Sequence, residues 1–526
     1  MRAAPALPQR VLAWTGSAAA AGRLGRYLLS PSVFGIAISG GLLLILAERV
    51  LLFSGGSNDD SEQLLYSQSF QFGYGLRNPP FYTWLVIGFT HLFGASLAAV
   101  IALKFLLLAG SYFGLLRVAK MIAADDAWAT AAAATPLGMY AVAWDATLNY
   151  SNSVLLIFVC LMTLICLLQI GRTGRLVWYA ALGLSMGVGC LTKYNYLVFC
   201  GAMFVAAMFD RCYRTRLRDW RIAALGLSLL VVLPYALFAH RHLTSLSVQF
   251  GAAPIVGEAR PLPAAAAMSL QQTGDFGFDF LSPILFLLLV FFPAAWRPQR
   301  IDQPAALRLI SRLLVTELLV FLLYFFFAYA TGFGTSAIHH HLFFVFILAP
   351  AWFVARASWI DRARPALPVF AAALAALAML VPAALAVKSA AGPVLERRPY
   401  LNIPYPALAE ALKAAGFTEG TIFTWDLPYP LSGNLRPYFP DSRVVSAKFM
   451  FYQPPPRTRP GQCLAVWLDY NGVADRAVAR AFEVMSGSAV GWDPQPKTIQ
   501  LPMQPAWGTA VRFKYQMFGD GFGTCH

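Results

Sequence analysis

The sequence predicts a polytopic α-helical membrane protein of about 11 transmembrane helices with a C-terminal extracytoplasmic α/β domain. Three observations predict it. Of 526 residues, 58% are apolar and 12% charged, where a soluble domain carries about 25% charged residues. The apolar excess falls in long blocks such as Ile101 to Gly110 and Leu319 to Ala330, which a bilayer solvates and water does not. From about Lys388 the pattern changes to Pro, Tyr and interspersed charges. An ordinary cytosolic enzyme is excluded. The formal charge of +15 does not call for nucleic acid, because basic residues beside spans have a simpler use in orientation.

A spanning helix needs roughly 20 mostly apolar residues. Eleven segments qualify, near 32–53, 95–117, 126–144, 153–170, 176–192, 195–209, 222–239, 280–296, 310–330, 342–356 and 367–387. The fifth, sixth and tenth are short. With the N-terminus inside, the cytoplasmic segments hold twenty Lys and Arg, and the outer loops before the tail hold four, Arg77, Lys193, Arg241 and Arg260. That asymmetry sets the orientation and leaves the C-terminus outside. The first segment is read as a retained span, because its apolar run exceeds a signal core and Glu48-Arg49 follows it. The expectation is therefore a multi-pass membrane protein with the first outer loop and the C-terminal domain on the outer face.

The expected organisation is a membrane domain over 1–387, with a functional first outer loop at 54–94, and a soluble domain over 388–526. In the latter, Pro406 to Phe417 has helical spacing, Thr421 to Trp425 and Cys463 to Leu468 read as short buried strands, and Ala474 to Met485 is again helical. That alternation predicts a small α/β domain. Cys463 and Cys525 are the two of seven cysteines in the outer domain. An oxidising compartment favours a disulfide between them, and two free thiols is the alternative.

Polar residues that a membrane surface does not require concentrate in the first outer loop. It reads Ser57-Asn58-Asp59-Asp60-Ser61-Glu62, Tyr66-Ser67-Gln68-Ser69-Phe70, Gly73-Tyr74-Gly75, and Arg77-Asn78-Pro79-Pro80-Phe81 before Thr83-Trp84-Leu85. Two readings are open. The acids can cap the helix that follows them, or one carboxylate can act as a general base with Arg77 holding an anionic group.

This loop resembles that of the lipid-linked-sugar glycosyltransferases of the GT-C superfold. The members it is most similar to are the lipopolysaccharide galacturonic acid transferases, the aminoarabinose lipid A transferase and the protein O-mannosyltransferase-like group. Leu191-Thr192-Lys193-Tyr194, Pro350 ten residues after His340, and the tail stretches Ser432-Gly433-Asn434-Leu435-Arg436 and Tyr438-Phe439-Pro440-Asp441 extend the resemblance along nearly the whole chain. It implies a GT-C fold with Asp59 at the catalytic acid and Asp60 at the acid that follows it. It also implies Arg77 at the basic residue that contacts lipid phosphate, one residue further from Pro-Pro because Asn78 intervenes. The second acid of relatives falls here on Asn152, with Asp145 upstream as a possible substitute.

The chemistry agrees with that expectation. There is no GxGxxG or Walker-type loop, and an outer face has no nucleotide-sugar pool, so the donor arrives as a polyprenyl-phosphate sugar. Inversion at C1 needs a base and cations for the departing phosphate. Asp59 is the candidate base, and Arg77, Lys193, Arg241 and His340 are candidate phosphate contacts. Lys193 has an even alternative, snorkelling to headgroups. For His339 to His341, with His240 and His242, a structural or phosphate-contacting role is favoured over zinc, because adjacent histidines point different ways around a helix and no Asp-x-Asp accompanies them. No metal or other cofactor is indicated. Lys104 inside a span is costly if exposed to lipid, and the sequence leaves open whether it marks a pathway or pairs within the bundle. The expected function is an inverting membrane glycosyltransferase whose partners are the lipid-linked donor, an envelope glycan or glycolipid acceptor and membrane lipids. The alternative is a transporter or flippase of a lipid-linked sugar, disfavoured because no internal repeat is evident.

Overall fold

A computed structural model describes residues 23–75, 78–242, 258–297, 303–333, 343–360, 365–396, 399–459, 461–470, 475–486, 495–505 and 510–519. The chain forms two compact units, one of Met1–Leu42, Leu76–Pro79 and Leu106–Val381, the other of Leu43–Gly75, Pro80–Phe105 and Pro382–His526.

The first unit is helical. Across the described chain six helices are long and apolar enough to cross a membrane: Pro31–Leu51, Leu97–Ile122, Ser151–Thr173, Trp220–Arg241, Ala305–Thr331 and Leu367–Leu395. A seventh arises if Tyr196–Met208 and Arg211–Leu217, bent by 110°, form one span. The difference from eleven has a local cause. In the expected third segment Pro136 supplies no amide donor, and the chain passes from α-helix (Asp126–Ala134) through a 3₁₀ turn (Thr135–Gly138) into a π-turn (Ala141–Asp145). The expected eighth is divided at Pro283 and Pro293 into Ile284–Phe291 and a 3₁₀ turn. Leu176–Cys190 and Phe343–Ala357 are helices of only 15 residues. Leu262–Leu281 is helical although Gln271, Gln272, Asp275 and Asp279 dilute its apolar pattern. Gly174 (φ 62°) and Gly332 (φ 73°) end two spans in the left-handed conformation that glycine adopts without strain.

The second unit joins two stretches of the N-terminal third to the C-terminal region. In chain order it contains α1 (Asn58–Tyr66), α2 (Phe81–Phe93), α3 (Tyr405–Ala414), β1 (Gly420–Trp425), α4 (Ser432–Leu435), β2 (Arg443–Ser446), β3 (Gln462–Leu468), α5 (Asp475–Ser486), β4 (Lys497–Pro502) and β5 (Ala510–Phe518). The sheet runs β2-β1-β3-β5-β4. β1 is parallel to β2 and β3, with Thr421 facing Arg443 on one side and Cys463 on the other. β5 is antiparallel to β3 and β4. A strand buried on both faces reads as an unbroken apolar run, which is why Cys463 to Leu468 takes the centre. Leu464, Val466 and Leu468 join a core with Ile422, Leu408, Leu412 and Leu435, to which the first outer loop contributes Leu65 and Tyr74. Ala465 and Trp467 on the opposite face meet Val478 and Phe482, one helical turn apart on α5.

Candidate active site

The first outer loop contains α1, and Asp60 takes up the capping use open to its acids. Ser57 is the N-cap: its Oγ accepts from the Asp60 amide at 3.2 Å, while Asp60 Oδ2 accepts from the Ser57 amide at 3.1 Å. This reciprocal arrangement satisfies two amides that helix geometry leaves unpaired. Asp60 is fully buried. Its Oδ1 receives Lys104 Nζ at 2.9 Å, and Arg49 Nη2 stands 3.8 Å from Oδ2. The Arg49 guanidinium lies over the Phe53 ring at 5.0 Å and makes no hydrogen bond among the described residues. Burial opposes ionisation of Asp60, but the charges of Lys104 and Arg49 and the hydrogen bonds from Lys104 and Ser57 outweigh it and hold the carboxyl below its ordinary 3.8. Two buried cations face this one carboxylate.

Asp59, one residue earlier, is only partly buried. Adjacent positions on a helix point about 100° apart, so the buried grip on Asp60 leaves its neighbour on another face of α1. Asn58 is exposed and its Oδ1 accepts from Lys448 Nζ at 3.4 Å. Below the acids, buried Gln63 accepts from Thr83 of α2 at 2.7 Å, and Trp84 Nε1 donates to the Gln71 carbonyl at 2.8 Å.

The first unit carries four more of the residues singled out in the sequence. Lys193 sits in the break between two short helices, buried, with Nζ donating to Ser153 Oγ at 2.8 Å. Asp145 ends the π-turn, and burial pushes its carboxyl up to about 6. Asn152 is buried beside Ser153 at the start of Ser151–Thr173. The residue before that helix, Tyr150, has φ 66°, the left-handed region that a tyrosine adopts only at a cost. Arg241 ends its helix exposed. Arg77, His339 to His341 and Cys525 lie outside the described residues. Cys463 is disulfide-bonded.

Sequence reasoning left Lys104 open and assigned no role to Arg49. The signal was present: an ionisable residue inside an apolar span requires a partner, and Asp60 supplies it to both. Ser432 to Arg436 stood out as a motif without an assigned task, and its contacts are with α1 (Gly433 N to Ser61 Oγ, 3.0 Å; Arg436 Nη1 to Leu64 O, 2.7 Å).

Comparison with known proteins places this architecture. Residues 77–238 match the dolichyl-phosphate-mannose-protein mannosyltransferase family. The chain is 26% identical over 450 residues to the lipopolysaccharide core galacturonosyltransferase RgtB of Rhizobium johnstonii, covering 84% of this chain and 88% of that protein. It is 26% identical over 433 residues to RgtA of the same organism, covering 79% and 82%. Its fold is similar to that of ArnT from Cupriavidus metallidurans bound to undecaprenyl phosphate, with a TM-score of 0.58 at 13% identity over 92% of this chain and 98% of that one. The class is thus an integral-membrane enzyme that moves sugars. The chain is similar to glycosyltransferases of the GT-C type in sequence and in fold, as the first-loop resemblance implied.

Proposed function

We propose that the chain transfers a sugar, with inversion, from a polyprenyl-phosphate donor to lipopolysaccharide core, lipid A or another envelope glycan on the outer face of a bacterial inner membrane. The observation that carries this is the state of α1: a helix capped by Ser57 and gripped through Asp60, with Asp59 the less buried acid beside it. A fixed carboxylate next to a buried anchor suits a general base, which must meet its proton at hydrogen-bond distance.

Asp59 takes the proton of the acceptor hydroxyl as that oxygen attacks C1 of the donor sugar. The C1–O bond to phosphate breaks, and polyprenyl phosphate departs with the electron pair. The cations proposed to stabilise it are Arg77, Lys193, Arg241 and His340, since interactions that strengthen as charge develops lower the barrier. Asp60, with both oxygens occupied by Lys104, Ser57 and Arg49, is proposed to anchor the base instead of sharing its chemistry. Asp145 is the reserve acid. A hexuronic acid is the first candidate sugar, because the two relatives are named as galacturonosyltransferases. Orientation rests on the twenty-to-four division of Lys and Arg, which puts residues 388–526 outside.

The test is to incubate the purified protein with polyprenyl phosphates carrying galacturonic acid, aminoarabinose or a neutral hexose, with and without lipopolysaccharide acceptor. The expected result is consumption of one donor that depends on acceptor and releases polyprenyl phosphate. Movement of an intact lipid-linked sugar across vesicle bilayers without consumption would establish the flippase reading instead.

A further inference from the structure

We propose that the turn from Gly433 to Arg436, some 370 residues downstream of the first outer loop, is the positioning element of the catalytic helix α1. This rests on the reading of Asp59 as the base.

The turn approaches α1 along its whole length. Near the N-terminus, Asn434 Oδ1 accepts from the Gly56 amide at 2.8 Å, and its Nδ2 is fixed by the Pro430 carbonyl at 2.6 Å. At the middle, the Gly433 amide donates to Ser61 Oγ at 3.0 Å. The approach is so close that a Cβ on Gly433 would stand 1.9 Å from the Ser61 carbonyl oxygen, a backbone atom that a rotamer change cannot move. Glycine is required here for proximity. At the C-terminal end, Arg436 Nη1 donates to Leu64 O at 2.7 Å and to Ser67 Oγ, and Nη2 donates to Ser67 O at 3.2 Å. A guanidinium is suited to that place, because the last carbonyls of a helix lack partners and carry partial negative charge. Burial pulls Arg436 down to about 10, so it stays charged at neutral pH.

The turn is itself held from the strands. Asp426, directly after β1, accepts from the Leu431 and Ser432 amides at 2.7 and 2.8 Å with Oδ1, and from Ser446 at the end of β2 with Oδ2. Beside it, Gln68 and Val444 exchange two hydrogen bonds of 2.9 and 2.8 Å. α1 is therefore fixed at one end by Asp60 and along its flank by a turn whose own geometry is set by the sheet. Small displacements of a base cost turnover more than binding, because proton transfer depends on distance while substrate contacts elsewhere persist. The soluble region then serves the reaction by setting where Asp59 stands, without contributing a reacting group through this turn.

The test is a double-mutant cycle on the full-length protein in detergent. The donor is polyprenyl phosphate galacturonic acid, or whichever tested donor the parent consumes, and the acceptor is lipopolysaccharide core. Arg436→Met should lower kcat about tenfold, with both KM values within about threefold of the parent, the pattern of a displaced catalytic group. Arg436→Lys should recover part of the loss. On an Asp59→Asn background the same Arg436→Met change should cost nothing further, because no base is left to position. A kcat for Arg436→Met within about twofold of the parent, or losses that multiply in the double variant, would overturn the proposal. If Arg436→Met does not fold, Gly433→Ala and Arg436→Lys are judged by the same cycle. Full turnover by Asp59→Asn would instead remove the reading of Asp59 as the base; an inactive Asp59→Asn beside normal Arg436 variants would remove only this one.

Discussion

The surroundings of Asp59 and those of Lys193 are built in opposite ways. α1 has a reciprocal cap, an ion-paired anchor and hydrogen bonds along its flank and last turn. The Lys193 region uses irregular backbone: a π-turn ending in Asp145, a left-handed Tyr150 and a helix break at Lys193 itself, whose Nζ rests on the neutral Ser153 hydroxyl. Regular structure held by a cap, an ion pair and flanking hydrogen bonds gives one geometry. Strained backbone clusters at functional sites, and the buried Lys193 lies in such a region. We propose a division of labour from this difference: one region fixes a base, the other receives charge.

The anchor should break first. Lys104→Met leaves buried Asp60 with Arg49 at 3.8 Å as its one cation among the described residues, and removing one partner of a buried ion pair costs roughly 3–5 kcal/mol. The loss should appear as a lower thermal midpoint. Its pH dependence has a definite sign. In the parent the Asp60 carboxyl is held below its ordinary value, so this contribution to stability is present above about pH 4 and lost as pH falls through the lowered value. In Lys104→Met burial is less opposed, so the gap between variant and parent should narrow toward acid. A gap that widens on acidification would contradict the lock.

The receiving region should respond in binding. Lys193→Met is expected to raise the donor KM about tenfold while the thermal midpoint changes little, and Lys193→Arg should be intermediate. Parent-like donor KM in Lys193→Met would reduce this lysine to a headgroup anchor. A smaller effect separates the cap from the anchor. Ser57→Ala removes the cap but leaves Lys104 on Asp60, so stability should fall by about 1 kcal/mol, the usual scale of a lost N-cap. A loss as large as that of Lys104→Met would show that cap and ion pair act as one unit. In the first unit, Glu317 is buried within a span with neither oxygen hydrogen-bonded among the described residues. Glu317→Met should leave the thermal midpoint unchanged or raise it, because an apolar side chain of similar volume avoids the cost of desolvation.

The physics that made parts of the fold legible is local. Long apolar runs announced Leu97–Ile122, Ser151–Thr173, Ala305–Thr331 and Leu367–Leu395, and short runs rich in apolar and β-branched residues announced β1 and β3. Pro136, Pro283 and Pro293 lie within apolar runs that hydropathy alone reads as continuous spans. β4 and β5 were unread, because exposed residues alternate along much of both strands and dilute the signal. At the site, the acid pair in a Ser-x-x-Asp cap was legible. The grip of Arg436 on Leu64, 372 positions away, was not, since no local pattern encodes a contact that exists only once the sheet has formed.

Asp60 is held by Lys104 and Ser57, and we propose that Asp59 is the acid that reacts. The most direct measurement is turnover of Asp59→Asn beside Asp60→Asn, each purified as folded protein and assayed with the donor that the parent consumes. Asp59→Asn keeps the size of the side chain and removes its basicity, so kcat should fall about 100-fold or more with the thermal midpoint unchanged. Asp60→Asn should lower the midpoint first, because Lys104 and Arg49 are left without their carboxylate. Near-parent turnover by a well-folded Asp59→Asn protein would contradict the account and pass the role of base to Asp145.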